Sequence, residues 1–156
     1  MRLDYFLLID RIVELKLGDQ TIRTEATVPT HSTIFEGHFP GHPLMPGVLL
    51  IETMAQTSGW LLIAMSKFTR IPLLAAVKEA KLRTFVTPGQ VLTASAEILH
   101  DGSGFAVTKT EMTCDGKPVC SAELTLRLIE FPNSSLRAGM ERIAADIGFP
   151  METIHG

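Results

Sequence analysis

The strongest constraint is one apolar stretch, residues 48–65, in which Leu, Ile, Val, Met, Ala and Trp recur at nearly every helical angle. Pro46 sits where the first turn of a helix tolerates a missing N–H, so the spacing predicts a helix over residues 47–67. A helix that is apolar almost all round has to be enclosed. Glu52, Gln56 and Ser58 interrupt the stretch, which argues for enclosure by protein and against a membrane span. The enclosing material reads as β. Residues 7–17 and 21–28 are predicted strands around a Gly18-Asp19 turn. Residues 73–82, 90–99, 104–114 and 118–129 are four more, separated by Pro88-Gly89, Asp101-Gly102-Ser103-Gly104 and Asp115-Gly116. Residues 29–46, dense in Pro, Gly and His, are too punctuated for a regular element. The expected architecture is α+β, a curved antiparallel sheet wrapped around one central helix, with open edges suited to pairing between copies.

A chain of 156 residues, 46% hydrophobic and 20% charged, is one globular domain with room for a real core. The sheet-and-helix domain is expected over residues 1–131, and residues 132–156 form a tail with a short helix. Ser134 offers an N-cap for that helix over residues 136–147. Its Leu136, Met140, Ile143 and Ile147 fall at helical spacing, either as extra apolar wall or as packing on the outer face of the sheet. The N-terminal run carries Asp4 and Asp10 at its ends and lacks an uncharged secretory core, so the chain reads as cytoplasmic. Cys114 and Cys120 flank the Asp115-Gly116-Lys117-Pro118 turn and are expected on paired strands as reduced thiols.

The net charge of −3 gives no reason to expect nucleic acid. Its distribution is uneven. Residues 67–83 hold five basic side chains (Lys67, Arg70, Lys78, Lys81, Arg83) against Glu79, a net of +4. The rest of the chain has 9 basic and 16 acidic groups, a net of −7. Such a segment either steers an acidic partner or is an ordinary solvated surface.

Three residues point to chemistry. His38 lies in the rigid run Gly37-His38-Phe39-Pro40-Gly41-His42-Pro43-Leu44-Met45-Pro46-Gly47, and an imidazole with a pKa near 6.5 suits proton transfer at neutral pH. Glu52 stands in the apolar helix with Gln56 one turn on, either as a hydrogen-bonded structural pair or as a working carboxyl. Gly47 opens the helix, where free N–H groups can receive a developing oxyanion. A base, a proton donor and an oxyanion site together describe proton abstraction next to a carbonyl. No metal or other cofactor is implied. His38 and His42 are four apart, but the Gly and Pro between them oppose a helical ligand pair.

The run from Phe35-Glu36-Gly37-His38-Phe39-Pro40-Gly41-His42-Pro43 through Gly47 to Glu52-Thr53-Met54-Ala55-Gln56 resembles the FabZ-type 3-hydroxyacyl-acyl-carrier-protein dehydratases, which have the hot-dog fold. Weaker similarity extends over residues 7–128. The resemblance implies a hydro-lyase of fatty-acid biosynthesis, turning a (3R)-3-hydroxyacyl thioester on an acyl-carrier protein's phosphopantetheine arm into the trans-2-enoyl thioester. It implies that His38 takes the C2 proton and that Glu52 helps the C3 hydroxyl leave. The Gly47 N–H would polarise the thioester carbonyl, the Leu44 carbonyl would orient His38, Gln56 would support Glu52, and His42 would be structural. It also implies a homodimer, alone or as a trimer of dimers, with His38 and Glu52 of each site drawn from different subunits. The basic residues of 67–83 would then meet the acidic carrier. The FabA-type dehydratase–isomerases carry Asp at the positions of Glu52 and His42, and this sequence follows the FabZ form at both. A non-catalytic acyl- or carrier-binding hot-dog protein is the alternative from another class. Two departures stand out: Leu73-Leu74-Ala75-Ala76 replaces an aromatic gate after the central helix, and the tail lies beyond the usual domain.

Overall fold

A computed structural model describes residues 1–152. Six strands form one antiparallel sheet: β1 (Arg11–Lys16), β2 (Thr21–Thr27), β3 (Arg70–Leu82), β4 (Val91–Gly102), β5 (Phe105–Cys114) and β6 (Lys117–Glu130). Their order across the sheet is β1-β2-β4-β5-β6-β3. The helices are α1 (Thr33–Gly37), α2 (Gly47–Met65) and α3 (Ser134–Asp146). The concave face of the sheet wraps α2, whose Leu50, Met54, Leu61 and Leu62 are buried with Leu92, Met112, Leu124 and Leu126 of the strands. Fully burying each such side chain is worth about 1.5–3 kcal/mol against leaving it exposed. This is the sheet-wrapped helix anticipated from the apolar stretch, and the hot-dog arrangement that the resemblance implied. By length and a mean hydropathy of 1.4, α2 is able to cross a membrane, yet 67% of that window is buried inside the protein.

Polar groups on α2 are satisfied where they meet the sheet. Thr57 shares a 2.8 Å hydroxyl hydrogen bond with Thr24, and Ser58 shares another of 2.8 Å with Thr108. Gly59 lets β3 approach, since a Cβ there would lie 3.2 Å from Pro72 Cγ. The β5–β6 hairpin turns at Asp115 and Gly116, both with positive φ (51° and 76°), as the Asp-Gly pair foretold. Cys114 and Cys120 are free thiols on these two paired strands. Burial pushes the Cys120 thiol up to about 11.

Several boundaries differ from expectation. Residues 7–10 precede β1, and residues 3–5 form a 3-10 turn. Leu8 and Ile9 are buried consecutively, which breaks strand alternation, and the Leu8 N–H is taken by the Gln56 side chain at 3.1 Å. Within 29–46, where no element was expected, Ser32 caps α1 by accepting the Ile34 N–H at 3.2 Å, and Phe35 is buried beneath it. The cap of α3 is Asn133, accepting the Leu136 N–H at 2.8 Å, in place of Ser134. Residues 153–156 of the expected tail lie outside the described residues.

β3 is an edge strand, paired with β6 alone among the described residues. Leu73, Leu74, Val77 and Leu82 on it are all at least 40% exposed. A long apolar edge of this kind is a template for pairing with another chain.

Candidate active site

The loop after α1 fixes His38 at three points. Its N–H donates to the Ile34 carbonyl at 3.0 Å, and its carbonyl accepts the Leu44 N–H at 3.0 Å. Its ring Nδ1 meets the Leu44 carbonyl oxygen at 2.8 Å. A carbonyl only accepts, so Nδ1 carries the hydrogen and Nε2 keeps its lone pair. The loop is itself pinned by the Met45 N–H on the Val86 carbonyl at 2.7 Å. His42 is exposed, and its part is backbone: it exchanges hydrogen bonds of 3.0 and 2.9 Å with Phe39, closing a turn that uses Gly41 at φ 71°.

His38, Leu44 and Gly47 line one cavity together with Leu82 and Arg83. Gly47 is the first residue of α2, where N–H groups lack intrahelical acceptors. A Cβ on Gly47 would fall 2.5 Å from Leu82 Cδ1, so glycine keeps this wall open.

Glu52 faces elsewhere. It lines a second cavity of about 230 Å³, bounded also by Gln56, Trp60 and Leu74. The carboxyl is half-buried, and burial pushes its pKa above the usual carboxylate range, with the hydrogen bond from Gln56 pulling it partly back. Gln56 Nε2 donates to Glu52 Oε1 at 3.3 Å and to the Phe6 carbonyl at 2.9 Å, while its Oε1 accepts the Leu8 N–H. One amide thus ties the N-terminal segment to α2 directly over Glu52. Sequence reading paired Gln56 with Glu52 but missed Phe6 and Leu8, which have no local signal because the contact spans about fifty positions.

Within one chain, then, the two central groups open on separate cavities. Of the basic residues, Lys67, Arg70, Lys78, Lys81 and Arg83 are all exposed, but β3 strings them out. At about 3.3 Å per residue, Arg70 and Lys81 lie roughly 35 Å apart. Only Arg83 lines the His38 cavity. Of the gate positions, Leu74 lines the Glu52 cavity, while Ala75 and Ala76 are exposed.

The FabA-like domain family matches residues 2–123. The chain is 37% identical to the 3-hydroxyacyl-(acyl-carrier-protein) dehydratase FabZ of Clostridium acetobutylicum over 124 residues, covering 79% of this chain and 87% of that one. It is 39% identical to the FabZ of Syntrophotalea carbinolica over 121 residues, covering 76% and 82%. Among solved structures, the dehydratase heterocomplex ApeI:P of Xenorhabdus doucetiae superposes with a TM-score of 0.64 at 20% identity, over 87% of this chain and 90% of that one. A hypothetical thioesterase of Streptococcus pneumoniae bound to coenzyme A gives 0.60 at 18% identity, over 79% and 88%. These two likenesses show the fold. With the His38 loop and the carboxylate of α2 in place, and with sequence identity of this extent, the chain belongs to the FabA-like family, among its FabZ-type 3-hydroxyacyl-(acyl-carrier-protein) dehydratases.

Proposed function

We propose that this protein removes water from a 3-hydroxyacyl thioester carried on an acyl-carrier protein, giving the trans-2-enoyl thioester for fatty-acid synthesis. The observation that carries the reading is the 2.8 Å contact between His38 Nδ1 and the Leu44 carbonyl oxygen. The His38 Nδ1–H is spent on Leu44, so Nε2 is free to take the C2 proton. The electron pair released at C2 forms the C2=C3 bond as the C3–O bond breaks. Glu52, biased toward its protonated form by burial, gives its proton to the departing hydroxyl, which leaves as water. The Gly47 N–H, at the positive end of α2, stabilises the enolate-like oxygen of the thioester.

The reading requires two copies. His38 and Glu52 of one chain open on separate cavities, which supports a site that joins His38 of one subunit to Glu52 of its partner. The exposed apolar edge of β3 supplies the pairing surface of a homodimer. Free Cys114 and Cys120 suit a reducing compartment, which supports a cytoplasmic setting.

The test is absorbance of the conjugated enoyl thioester near 263 nm, an order-of-magnitude band position for this reaction class, with a short 3-hydroxyacyl thioester on carrier protein. Appearance of the trans-2-enoyl product supports the reading. Release of free thiol would indicate thioester hydrolysis instead, a cis-3-enoyl product would indicate isomerase activity, and binding without product would indicate a non-catalytic module.

A further inference from the structure

The cavity that holds Glu52 does not end at the family's own elements. Part of its wall is made by Met140 and Ile143 of α3, a helix that lies beyond the 2–123 stretch matched by the FabA-like family. The cavity follows α2 from Glu52 past Gly59 and Trp60 to Ile63, with Ile71 and Leu74 of β3 alongside. Eleven residues of α-helix span about 16 Å. That is the length of roughly a dozen methylenes drawn out with bonds of about 1.5 Å.

α3 is anchored at both ends, so this wall is not a loose flap. After β6, Phe131 stacks on Phe68 with ring centroids 5.9 Å apart and planes 5° from parallel, and Asn133 caps the helix. At the other end the Ile147 carbonyl accepts the N–H of Ile12 on β1 at 2.8 Å. Phe149 then packs against Trp60 and Phe68, at 5.8 and 5.5 Å between centroids. β1 and β3 are the two edges of the sheet, and α3 leaves from β6 beside one edge and bonds to the other. The helix therefore crosses the side that the curved sheet leaves open. Along its apolar stripe Leu136 is 36% exposed and Met140 and Ile143 face the cavity, while Ile147, just past the helix, is buried in the core.

We propose that α3 closes the acyl-binding cavity of this protein, with Met140 and Ile143 setting how long a chain it accepts. The proposal rests on the dehydratase reading for the identity of the occupant, an unbranched acyl chain whose C3 lies at Glu52. A saturated chain matches an apolar passage that begins at a carboxyl. Gly59 and Pro72, where β3 packs close against α2, line the passage at its middle. A chain longer than the passage meets Met140 and Ile143, whose helix is fixed at both ends.

The experiment compares kcat/KM on carrier-bound 3-hydroxyacyl substrates of about four and about fifteen carbons, the longer one placing about a dozen carbons past C3 in the span above, for the unmodified protein, Ile143→Phe, Met140→Ala and Arg142→Ala. Filling the passage by about two methylenes costs roughly fourfold each. The long-to-short ratio is therefore expected to fall about tenfold or more in Ile143→Phe and to rise in Met140→Ala. Arg142→Ala, on the exposed face of the same helix, should leave the ratio unchanged. A ratio that stays constant in all variants, or equal losses on both chain lengths, overturns the proposal. Trp60 is the one tryptophan of the chain and lines the passage, so its emission reports occupancy without turnover. An acyl-pantetheine of the longer chain length should shift that emission in the unmodified protein and not in Ile143→Phe. If the shift and its loss occur while no dehydration is seen, the passage stands and the catalytic reading falls. If dehydration proceeds and Trp60 never responds, the passage is wrong.

Discussion

His38 Nδ1 and the carbonyl oxygen of Leu44 are 2.8 Å apart, a contact that decides which imidazole nitrogen is available for chemistry. The Leu44 N–H returns the bond to the His38 carbonyl at 3.0 Å, so the pair closes a ring across the Pro- and Gly-rich loop. The side chain contributes little to the core, being only half-buried. His38→Ala should therefore lower turnover at least about a hundredfold, the lower end of what a positioned general base supplies. The melting temperature should move little. Turnover within a few-fold of the unmodified protein would remove His38 from the mechanism.

Glu52 gives a prediction in pH. Its carboxyl is raised by burial, so the folded state holds a proton where the unfolded chain has already lost one. Stability changes with pH as the protons bound by the unfolded state minus those bound by the folded state. That difference is negative for Glu52 from the ordinary carboxylate pKa, about 4.3, up through its raised folded value. Ionising Glu52 thus lowers stability as pH rises through this window, and below it the two states bind the same proton. Glu52→Gln should match or exceed the unmodified protein in melting temperature at pH 7.5, with the difference closing toward pH 4. The same variant should lose turnover by about a hundredfold or more. A variant clearly less stable at neutral pH would show that the carboxylate is paired and structural.

The separation of His38 and Glu52 between two cavities makes the shared site testable by mixing. His38→Ala and Glu52→Gln preparations, each inactive, are combined under conditions that exchange subunits. With random pairing, half of the dimers are hybrids and each holds one intact site, which returns about a quarter of full activity. Native mass spectrometry on subunits of different mass verifies that exchange took place. Proven exchange with no recovered activity would place both groups of each site in one chain.

The helix at the centre was legible because its apolar surface could be buried only by wrapping. Gly47 and Met65 bound it within two residues of the reading from sequence. The β5–β6 turn was equally plain, since Asp115 and Gly116 both need positive φ. The N-terminus was not legible, because Leu8 bonds to a side chain forty-eight positions away and no local pattern encodes that. His38 and Glu52 stand out in the sequence by residue type, one in a Pro- and Gly-rich loop and the other inside an apolar helix. Their placement in different cavities was beyond residue-level patterns, because it depends on how the loop returns along α2. The stripe on α3 fitted either an inner wall or an outer face, and only the contacts of Met140 and Ile143 with the cavity choose between them.

The extended layout of β3 sharpens what the basic segment is expected to do. Lys81 and Arg83 lie at the end of the strand beside the His38 cavity, which Arg83 lines, and both are exposed. Lys67 and Arg70 lie at the other end, roughly 35 Å away by strand rise. Charges at that distance are several Debye lengths apart at physiological ionic strength, where the length is about 8 Å. An acidic carrier that delivers its thioester to His38 should thus feel the near pair and scarcely the far one. Lys81→Glu combined with Arg83→Glu should raise KM for carrier-bound substrate by about tenfold, within the range that charge steering spans. Added salt should erase much of the difference between this variant and the unmodified protein. Lys67→Glu combined with Arg70→Glu should change KM by less than about twofold, since screening separates it from the site. A short pantetheine thioester, which carries no acidic protein, should be turned over with far smaller losses in both variants. Steady-state kinetics at two ionic strengths measure all of these quantities. Equal effects from the near and far pairs would show that the carrier does not dock beside Arg83, and equal damage to the pantetheine substrate would show that the near pair acts on the site itself.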